Sequence, residues 1–375
     1  MAIEIRETPI GGDLRDFLNM VDYVYRDDPN FVRPLNMELK ERLSPKNPFF
    51  NHAEGTTFTA HRNGWCVGRI TAQIDRAHLK LHQDDAGFFG FLDTVDDQEV
   101  AGALIDAART WLKARGMKRI RGPMSLCVNE ELGCLVEGFD TPPMVMMPHH
   151  LPYQAGLIAG SGLEKVTDLY AWRYTVGDIP KRAQRAHDQI AALPEIKVRH
   201  VNMKQLDKDV RIVMDIHNDA WEKNWGFVPL SEDELAKLAN DFKLILVPEL
   251  TYILDIDGEP AAFAIATPNL NEVIHDLEGK LSPIGLAKLV WRLKVARPKT
   301  ARLALLGVRS KYRHVKKYGA LSTFLYAKMN EAGARCGIQW GELSYTFEDN
   351  APVNLGIKFM GGTIYKKYRL FEAAL

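Results

Sequence analysis

FTAHRNGWCVGRITA (Phe58–Ala72) and YILDIDGEPAAFAIA (Tyr252–Ala266) follow one pattern when Gly64 is set on Gly258. Each is an alternating apolar run broken by a Gly-containing turn, which predicts a β-hairpin. The repeat extends outward. Setting Gly162 on Gly362 puts Pro152 on Pro352, and each proline opens an apolar helix that ends at a glycine. Between these landmarks each half holds a strand, a helix and another strand. The first of these helices closes at Arg115-Gly116 and the second at Arg335-Cys336-Gly337. Two copies of a hairpin–strand–helix–strand–helix unit fit a duplicated α/β fold better than one large sheet.

Bulk properties narrow the field. The 375 residues suit two domains, and 46% hydrophobic with 26% charged residues is ordinary for a globular protein. Lys plus Arg equals Asp plus Glu at 48 each, so no net field recruits nucleic acid. The opening MAIEIRETPIGGD has neither the basic flank nor the apolar core of a signal peptide, and no apolar run reaches membrane-spanning length. Cys66, Cys127, Cys134 and Cys336 form no CxxC pair and sit among apolar neighbours. They are expected as buried thiols in a reducing cytoplasm.

Along the chain, residues 14–25 are expected as an amphipathic helix, followed by a Pro- and Asn-rich passage to Asn51. After the first hairpin comes a loop with His78 and His82, then a strand Gly87–Thr94 and a helix Val100–Arg115. A short strand Lys118–Arg121 leads into a long loop, Gly122–Pro148. The expected domains are 1–176 and 198–375, joined by a linker 177–197 that is helical over Lys181–Ala192. Helices are expected at Val210–Trp225 and Glu232–Asn240, and a strand at Leu303–Val308.

That last strand feeds a basic loop, Arg309-Ser-Lys-Tyr-Arg-His-Val-Lys-Lys-Tyr-Gly-Ala-Leu321, and a helix to about Ala334. Free N–H groups at a helix start, the helix dipole and a close-approach glycine suit a pyrophosphate. The candidate residues are Val308, Arg309, Lys311, Arg313, Lys316, Lys317, Gly319 and Ala320. The same turn of the first half reads Val95-Asp-Asp-Gln-Glu-Val100, three carboxylates that would repel phosphate. Only the second half is therefore expected to hold such a ligand, leaving the first as a substrate or scaffold domain.

The order of elements resembles that of the GNAT acyltransferase superfamily. TFEDNAPVNLGIKFMGGTIYKKYRLFE (346–372) is similar to its closing strand, Asn, helix, glycine and last strand. The resemblance implies two tandem GNAT-like domains, mixed sheets flanked by helices, with an acyl-CoA donor and no metal. It places Asn350 at the amide that touches the donor arm and Gly361 at the helix-ending glycine. The tyrosine that often protonates the departing thiolate falls at Ile357, so that acid is missing or supplied elsewhere, with Tyr345 and Tyr365 as candidates. DRAHLKLHQDDAGFFGF (75–91), GPMSLCVNEELGCLVEGFDTPP (122–143) and MMPHHLPYQAGLIAGSGLEKVTDLYAW (146–172) resemble a narrower bacterial family of tandem GNAT-like proteins. These in turn are similar to the bacterial ceramide synthases, which N-acylate a sphingoid base.

Acyl transfer from a thioester needs a base within reach of the amine proton. Carboxylates at strand ends are preferred, so Glu342 and Glu348 lead, although Glu348 and Asp349 suit capping of the next helix as well as they suit catalysis. In the first half, Glu130, Glu131, Asp140, His149, His150 and Tyr153 lie on a loop long enough to be functional. His149 and His150 are candidates for base or substrate binding, and Glu130, Glu131, Asp140 and Tyr153 for substrate binding. His78-Leu-Lys-Leu-His82 has i, i+4 spacing, but without an HExxH base or third ligand it is expected as a hydrogen-bonded cluster. GxSxG, GxGxxG and GxxxxGK[ST] are absent.

Lys280–Thr300 (KLSPIGLAKLVWRLKVARPKT) puts Leu286, Leu289, Val290 and Leu293 on one helical face. Trp291 lies near that face, and Lys288, Arg292, Lys294, Arg297 and Lys299 make the segment basic. Packing on the protein is the ordinary fate of such a helix; its charge also suits a lipid headgroup layer or a lid over a lipid substrate, with Trp291 as a substrate contact. The leading expectation is an N-acyltransferase that uses long-chain acyl-CoA or an acylated carrier protein and an amine lipid. It would work in the cytoplasm with peripheral contact to the inner membrane. An aminoacyl-tRNA-dependent transferase of the same fold, or a non-catalytic acyl-CoA- or lipid-binding module, are the alternatives.

Overall fold

The computed structural model describes residues 2–375 and divides into two compact units. Unit 1 holds the chain up to Leu169 with Asn271–Trp291 and Lys366–Leu375; unit 2 holds Tyr170–Leu270 and Arg292–Tyr365. Each has the mixed sheet and flanking helices expected from the repeat.

In unit 1, β1 (Glu4–Pro9) leads through α1 (Arg15–Val24) and α2 (Asn36–Arg42) to the hairpin β2 (Ala53–Arg62) and β3 (Trp65–Asp75). Its turn residues Asn63 and Gly64 both have positive φ, 55° and 82°, the twist a two-residue hairpin demands. The segment with His78 and His82, expected as a loop, is a short helix, α3 (Arg76–His82). Asp75 caps it by accepting from the N–H groups of Ala77 and His78. Then come β4 (Ala86–Thr94), α4 (Gln98–Lys113) and β5 (Arg119–Gly122). The long loop is not structureless: it contains the short strands β6 (Met124–Ser125), β7 (Glu131–Leu132) and β8 (Cys134–Glu137). After α5 (Gln154–Gly160), β9 (Glu164–Thr175) carries the chain into unit 2. The core lies between α4 and the sheet, where Ile70, Ala72, Phe89, Leu104, Leu112 and Ile120 are buried. Each large side chain there contributes about 1.5–3 kcal/mol by leaving water.

Residues 177–197 are not a free linker. The sequence KRAQRAHDQIA forms α6 (Lys181–Ala191), which buries Ala183 and Ile190, and β10 (Ile196–Arg199) follows. Helices α7 (Leu206–Trp221) and α8 (Glu232–Ile245) precede the second hairpin, β11 (Thr251–Ile256) and β12 (Glu259–Pro268). Its turn Asp257-Gly258 repeats the positive φ pair, 52° and 83°. The excursion with α9 (Asn271–Ile274) and α10 (Pro283–Trp291) belongs to unit 1. Back in unit 2 are β13 (Thr300–Val308), α11 (Ser310–Arg313), α12 (Leu321–Arg335), β14 (Trp340–Phe347) and α13 (Ala351–Met360), which ends at Gly361 with φ 97°. The last strand, β15 (Thr363–Ala374), ends the chain. The sheet order in unit 2 is β14-β13-β12-β11-β10, with α6 laid on α12 so that His187 stacks on Phe324 at 5.0 Å.

One detail decides what each unit can hold. β13 and β14 are parallel, and their ladder runs only from Thr300↔Trp340 to Leu303↔Leu343. Immediately beyond, the pairing of β12 with β13 slips by one residue, leaving Ala304 as a bulge that bends β13 away. A V-shaped opening follows. β4 and β5 repeat the arrangement: their ladder covers only Ala86↔Arg119 to Phe88↔Arg121, and the register against β3 shifts between Arg69 and Thr71. In unit 1, however, the chain itself fills the opening. Met124 and Ser125 lie against β4 so closely that a Cβ on Gly90 would stand 2.1 Å from the Met124 carbonyl oxygen. Gln73 Nε2 donates to the carbonyls of Met124 and Leu126 at 2.6 and 3.1 Å, fixing the plug.

Gly90→Ala therefore forces backbone apart in a packed core and is expected to cost about 3 kcal/mol of stability. The check is the midpoint of denaturant unfolding; an unchanged midpoint would show that the plug yields freely.

Candidate active site

Strand alternation sends Arg302, Glu342 and Ser344 to one face of unit 2's sheet and Ala301, Leu303, Gly341 and Leu343 to the other. Arg302 and Glu342 are opposite residues in the ladder, one rung before the strands part. Glu342 is fully buried, 0% exposed, and both of its oxygens accept hydrogen bonds. Ser344 Oγ donates to Oε1 at 2.6 Å and the Tyr365 hydroxyl donates to Oε2. Arg302 Nε stands 3.9 Å from Oε1 and donates to Ser344 Oγ at 2.9 Å. Both carboxylate oxygens are thus engaged, beside a buried guanidinium. Burial and then the Glu342 charge push the Tyr365 hydroxyl well above its ordinary value, so that proton stays on Tyr365. Trp340 meets Tyr365 edge-on at 5.8 Å, and the Arg173 guanidinium lies 4.5 Å from the Trp340 ring centre.

Of the other strand-end candidates, Tyr345 lies under the Arg302 guanidinium, 5.4 Å from its ring centre. Glu348 lies at the turn before α13, where its carbonyl accepts from Asn354 Nδ2 at 3.5 Å. Asn350 is the N-cap of α13, its side-chain oxygen accepting from Val353 N–H, so the cap expected of Asp349 falls one residue later. Ile357 is buried against Leu343 and Met360, so that position offers no acid to the opening.

The basic loop is more neutral in space than in sequence. Arg309 pairs with Asp215, Lys311 with Glu259 at 2.6 Å and Lys317 with Glu195. Arg313 donates to the carbonyls of Val308 and Ala220, and Asp219 accepts from Ser310 Oγ at 2.7 Å. What remains for an anion is the start of α12, where Ala320 is the N-cap and no side chain caps the helix, with Lys316 and Gly319 just before it. The contrast with α4 is sharp. There Asp97 accepts from the N–H groups of Glu99 and Val100 and pairs with Arg62 at 2.6 Å. A carboxylate of the chain already occupies the place a phosphate would take. At Glu342's rung unit 1 carries Arg121, bonded to Asp84 at 2.9 Å and Glu372 at 2.7 Å.

The loop candidates of unit 1 are engaged in its own scaffold. Glu130 and Glu131 pair with Arg42 at 2.7 and 3.0 Å. Tyr153 donates to the Thr94 carbonyl at 2.7 Å, while Asp140 is exposed. His149 Nε2 meets Asp28 at 2.7 Å, and Tyr25 donates to the His149 carbonyl and bonds Asp93, itself 2.7 Å from Arg69. His150 Nδ1 accepts from Leu135 N–H at 3.1 Å, and burial pushes its pKa down to about 4. His78 Nε2 meets Asp84 at 3.1 Å and its ring packs on His82; no group of three metal-ligating side chains occurs among the described residues. Arg302 and Ser344 were not singled out from sequence. An arginine inside the apolar TARLALLGV was a signal, but its partner appears only when TARL and WGEL are laid side by side.

No family model matches the chain. It is 40% identical over 362 residues to protein YghO of Escherichia coli (strain K12), spanning 96% of this chain and 92% of that protein. It is also 40% identical over 367 residues to the bacterial ceramide synthase of Caulobacter vibrioides (strain NA1000 / CB15N), spanning 97% and 95%. A tandem GNAT protein from the clavulanic acid biosynthesis pathway matches with a TM-score of 0.58 at 12% identity, over 99% of this chain and 98% of that one. A GCN5-related N-acetyltransferase from Sphaerobacter thermophilus matches with a TM-score of 0.54 at 10% identity, over 99% and 95%. The fold is thus the tandem GNAT fold. The chain belongs to the family of GNAT-fold acyltransferases that contains the bacterial ceramide synthase.

His150 gives a pH test of its scaffold role. Its folded pKa near 4 lies below the ordinary 6.5, so the unfolded chain binds more protons between those values. Its contribution to stability is full above pH 6.5 and is lost as pH falls toward 4. His150→Asn keeps an acceptor for Leu135 N–H and is expected to flatten that loss in urea titrations across this window. An equally steep loss in the variant would assign the pH dependence to other groups.

Proposed function

We propose that this protein transfers a long acyl chain from acyl-CoA to the amine of a sphingoid base, forming an amide. The observation that carries the reading is Glu342, a buried carboxylate set one rung before β13 and β14 part and reached through the Tyr365 hydroxyl. The chain fits the donor in three ways: an uncapped α12 for phosphates, an opening between two parallel strands for the arm, and apolar walls where the strands meet. From Val308 back to Leu303 is about 17 Å of strand, suited to an extended pantetheine arm. Unit 1, with its plug and its self-capped α4, would serve as scaffold.

The donor supplies the thioester; the side chains manage protons. Glu342 has no exposed surface, so it cannot touch the amine itself. The Tyr365 hydroxyl, partly buried, would meet the neutral amine, while Arg302 and Ser344 hold the Glu342 carboxylate in place. As the amine nitrogen bonds the acyl carbon it becomes cationic and loses one proton through the Tyr365 hydroxyl to Glu342; the C–S bond then breaks and that proton passes to the departing sulfur through the same hydroxyl or through Tyr345. A covalent acyl-enzyme is disfavoured, since burial pushes the Cys66 thiol up to about 11 and raises those of Cys134 and Cys336.

A lipid acceptor calls for a route from the membrane. No helix among the described residues is long and apolar enough to cross one. On α10, Leu289 packs with Val32, Ile274 and Leu277, but Ile284, Leu286, Val290 and Trp291 are exposed. The shared face read from sequence is therefore divided between core and solvent. Lys280 and Lys288 flank these side chains, and Arg292 and Lys294 follow in sequence. We assign this face to an anionic lipid surface.

Two measurements follow. Purified protein should release thiol from palmitoyl-CoA in the presence of sphinganine, with the amide seen by mass spectrometry. Glu342→Gln and Tyr365→Phe should each lower turnover at least about 100-fold while changing acyl-CoA affinity less than about twofold. Full turnover in both variants would remove this pair from the mechanism. Ile284→Ser with Trp291→Ser should abolish co-sedimentation with phosphatidylglycerol vesicles; retained binding would place the lipid contact elsewhere.

A further inference from the structure

On the face of unit 2 opposite Glu342's side chain lies a narrow apolar cleft, part of it open to solvent. Ala301, Leu303, Gly341 and Leu343 form its floor, and Met329 and Gly333 of α12 line it from above. We infer that this cleft receives the donor's acyl chain and sets the chain length the enzyme accepts. This rests on the acyl-CoA reading above.

The geometry gives the cleft its direction. Leu303 and Leu343 are the last paired rung, the point a thioester would reach, and both belong to the floor. The α12 residues of the cleft run from Tyr326 to Gly333, about 10 Å of helix leading away from the uncapped start at Leu321. A donor with its phosphates at that start and its carbonyl at Leu303 has its tail continuing beneath the second half of α12.

The chemistry selects an alkyl chain. Of the polar residues that line it with Tyr326, Tyr174 donates to Asn330 Oδ1 at 3.0 Å, Asn330 also bonds the Gly177 backbone, and the Glu342 carboxylate accepts from Ser344 and Tyr365. Small residues line it on both sides, Gly341 and Ala301 in the floor and Gly333 in the helix. A Cβ on Gly333 would meet Val176 at 3.4 Å, and a glycine within a helix is less favourable than alanine. Space for a guest gives that glycine a purpose that helix formation does not.

The test is calorimetric, with acetyl-, octanoyl- and palmitoyl-CoA bound to the full-length protein. Wild type should bind palmitoyl-CoA at least about tenfold tighter than acetyl-CoA, because methylenes leave water in the cleft. Gly333→Leu, and separately Met329→Trp, fill the cleft from α12. Each should erase that preference while leaving acetyl-CoA affinity within about twofold. A wild type indifferent to chain length, or variants that weaken all three donors equally, overturns the assignment while leaving acyl transfer intact. Binding of none of the three by wild type overturns the acyl-CoA reading itself.

Discussion

Arg302 and Glu342 bring opposite charges together inside a sheet, and their position is dictated by a ladder of four residue pairs. A buried carboxylate without a partner would protonate, and a buried guanidinium without one would be strongly destabilising. Holding both fixes where β13 and β14 must stay in register. The bulge at Ala304 fixes where they must part. The rest of unit 2 answers to these two constraints: α12 starts beside the open end, the cleft lies under the closed end, and Tyr365 joins the carboxylate from β15.

The two units show one plan with opposite outcomes. Each has the hairpin, the bulged third strand, a short parallel ladder and a helix starting beyond it. In unit 1 the opening holds backbone, the helix start holds Asp97, and the rung of the buried carboxylate holds Arg121. These are three separate changes in charge or shape, and all of them disfavour the same kind of ligand.

Much of this was legible in the sequence. Asn63-Gly64 and Asp257-Gly258 mark turns because so few residue pairs accept two positive φ angles. The carboxylates before α4 announced a helix start near their own charge, and Asp97 caps it, because the chemistry is local. Glu342 was expected at a strand end and is the third residue of β14. Long-range pairings were hidden. Asp215, Asp219, Glu195 and Glu259 neutralise much of the loop at 309–317 from distant segments, so its apparent charge overstated its freedom. Glu130, Glu131 and His149 drew notice on a long loop, and it is Arg42 and Asp28, nearly a hundred residues or more away, that tie them to the scaffold. The cleft under α12 depends on glycines whose meaning appears only when helix and sheet are seen together.

The self-capped start of α4 has a consequence for how the two halves respond to supply. A site that carries its own anion has nothing to gain from an outside one, so its free energy of folding is set by the sequence alone. A helix start left for a visitor gains RT ln(1 + [L]/Kd) when the visitor binds. On the reading proposed for unit 2, that half becomes sturdier as acyl donor accumulates while unit 1 does not. Its resistance to heat and proteolysis would then register the cell's stock of activated fatty acid.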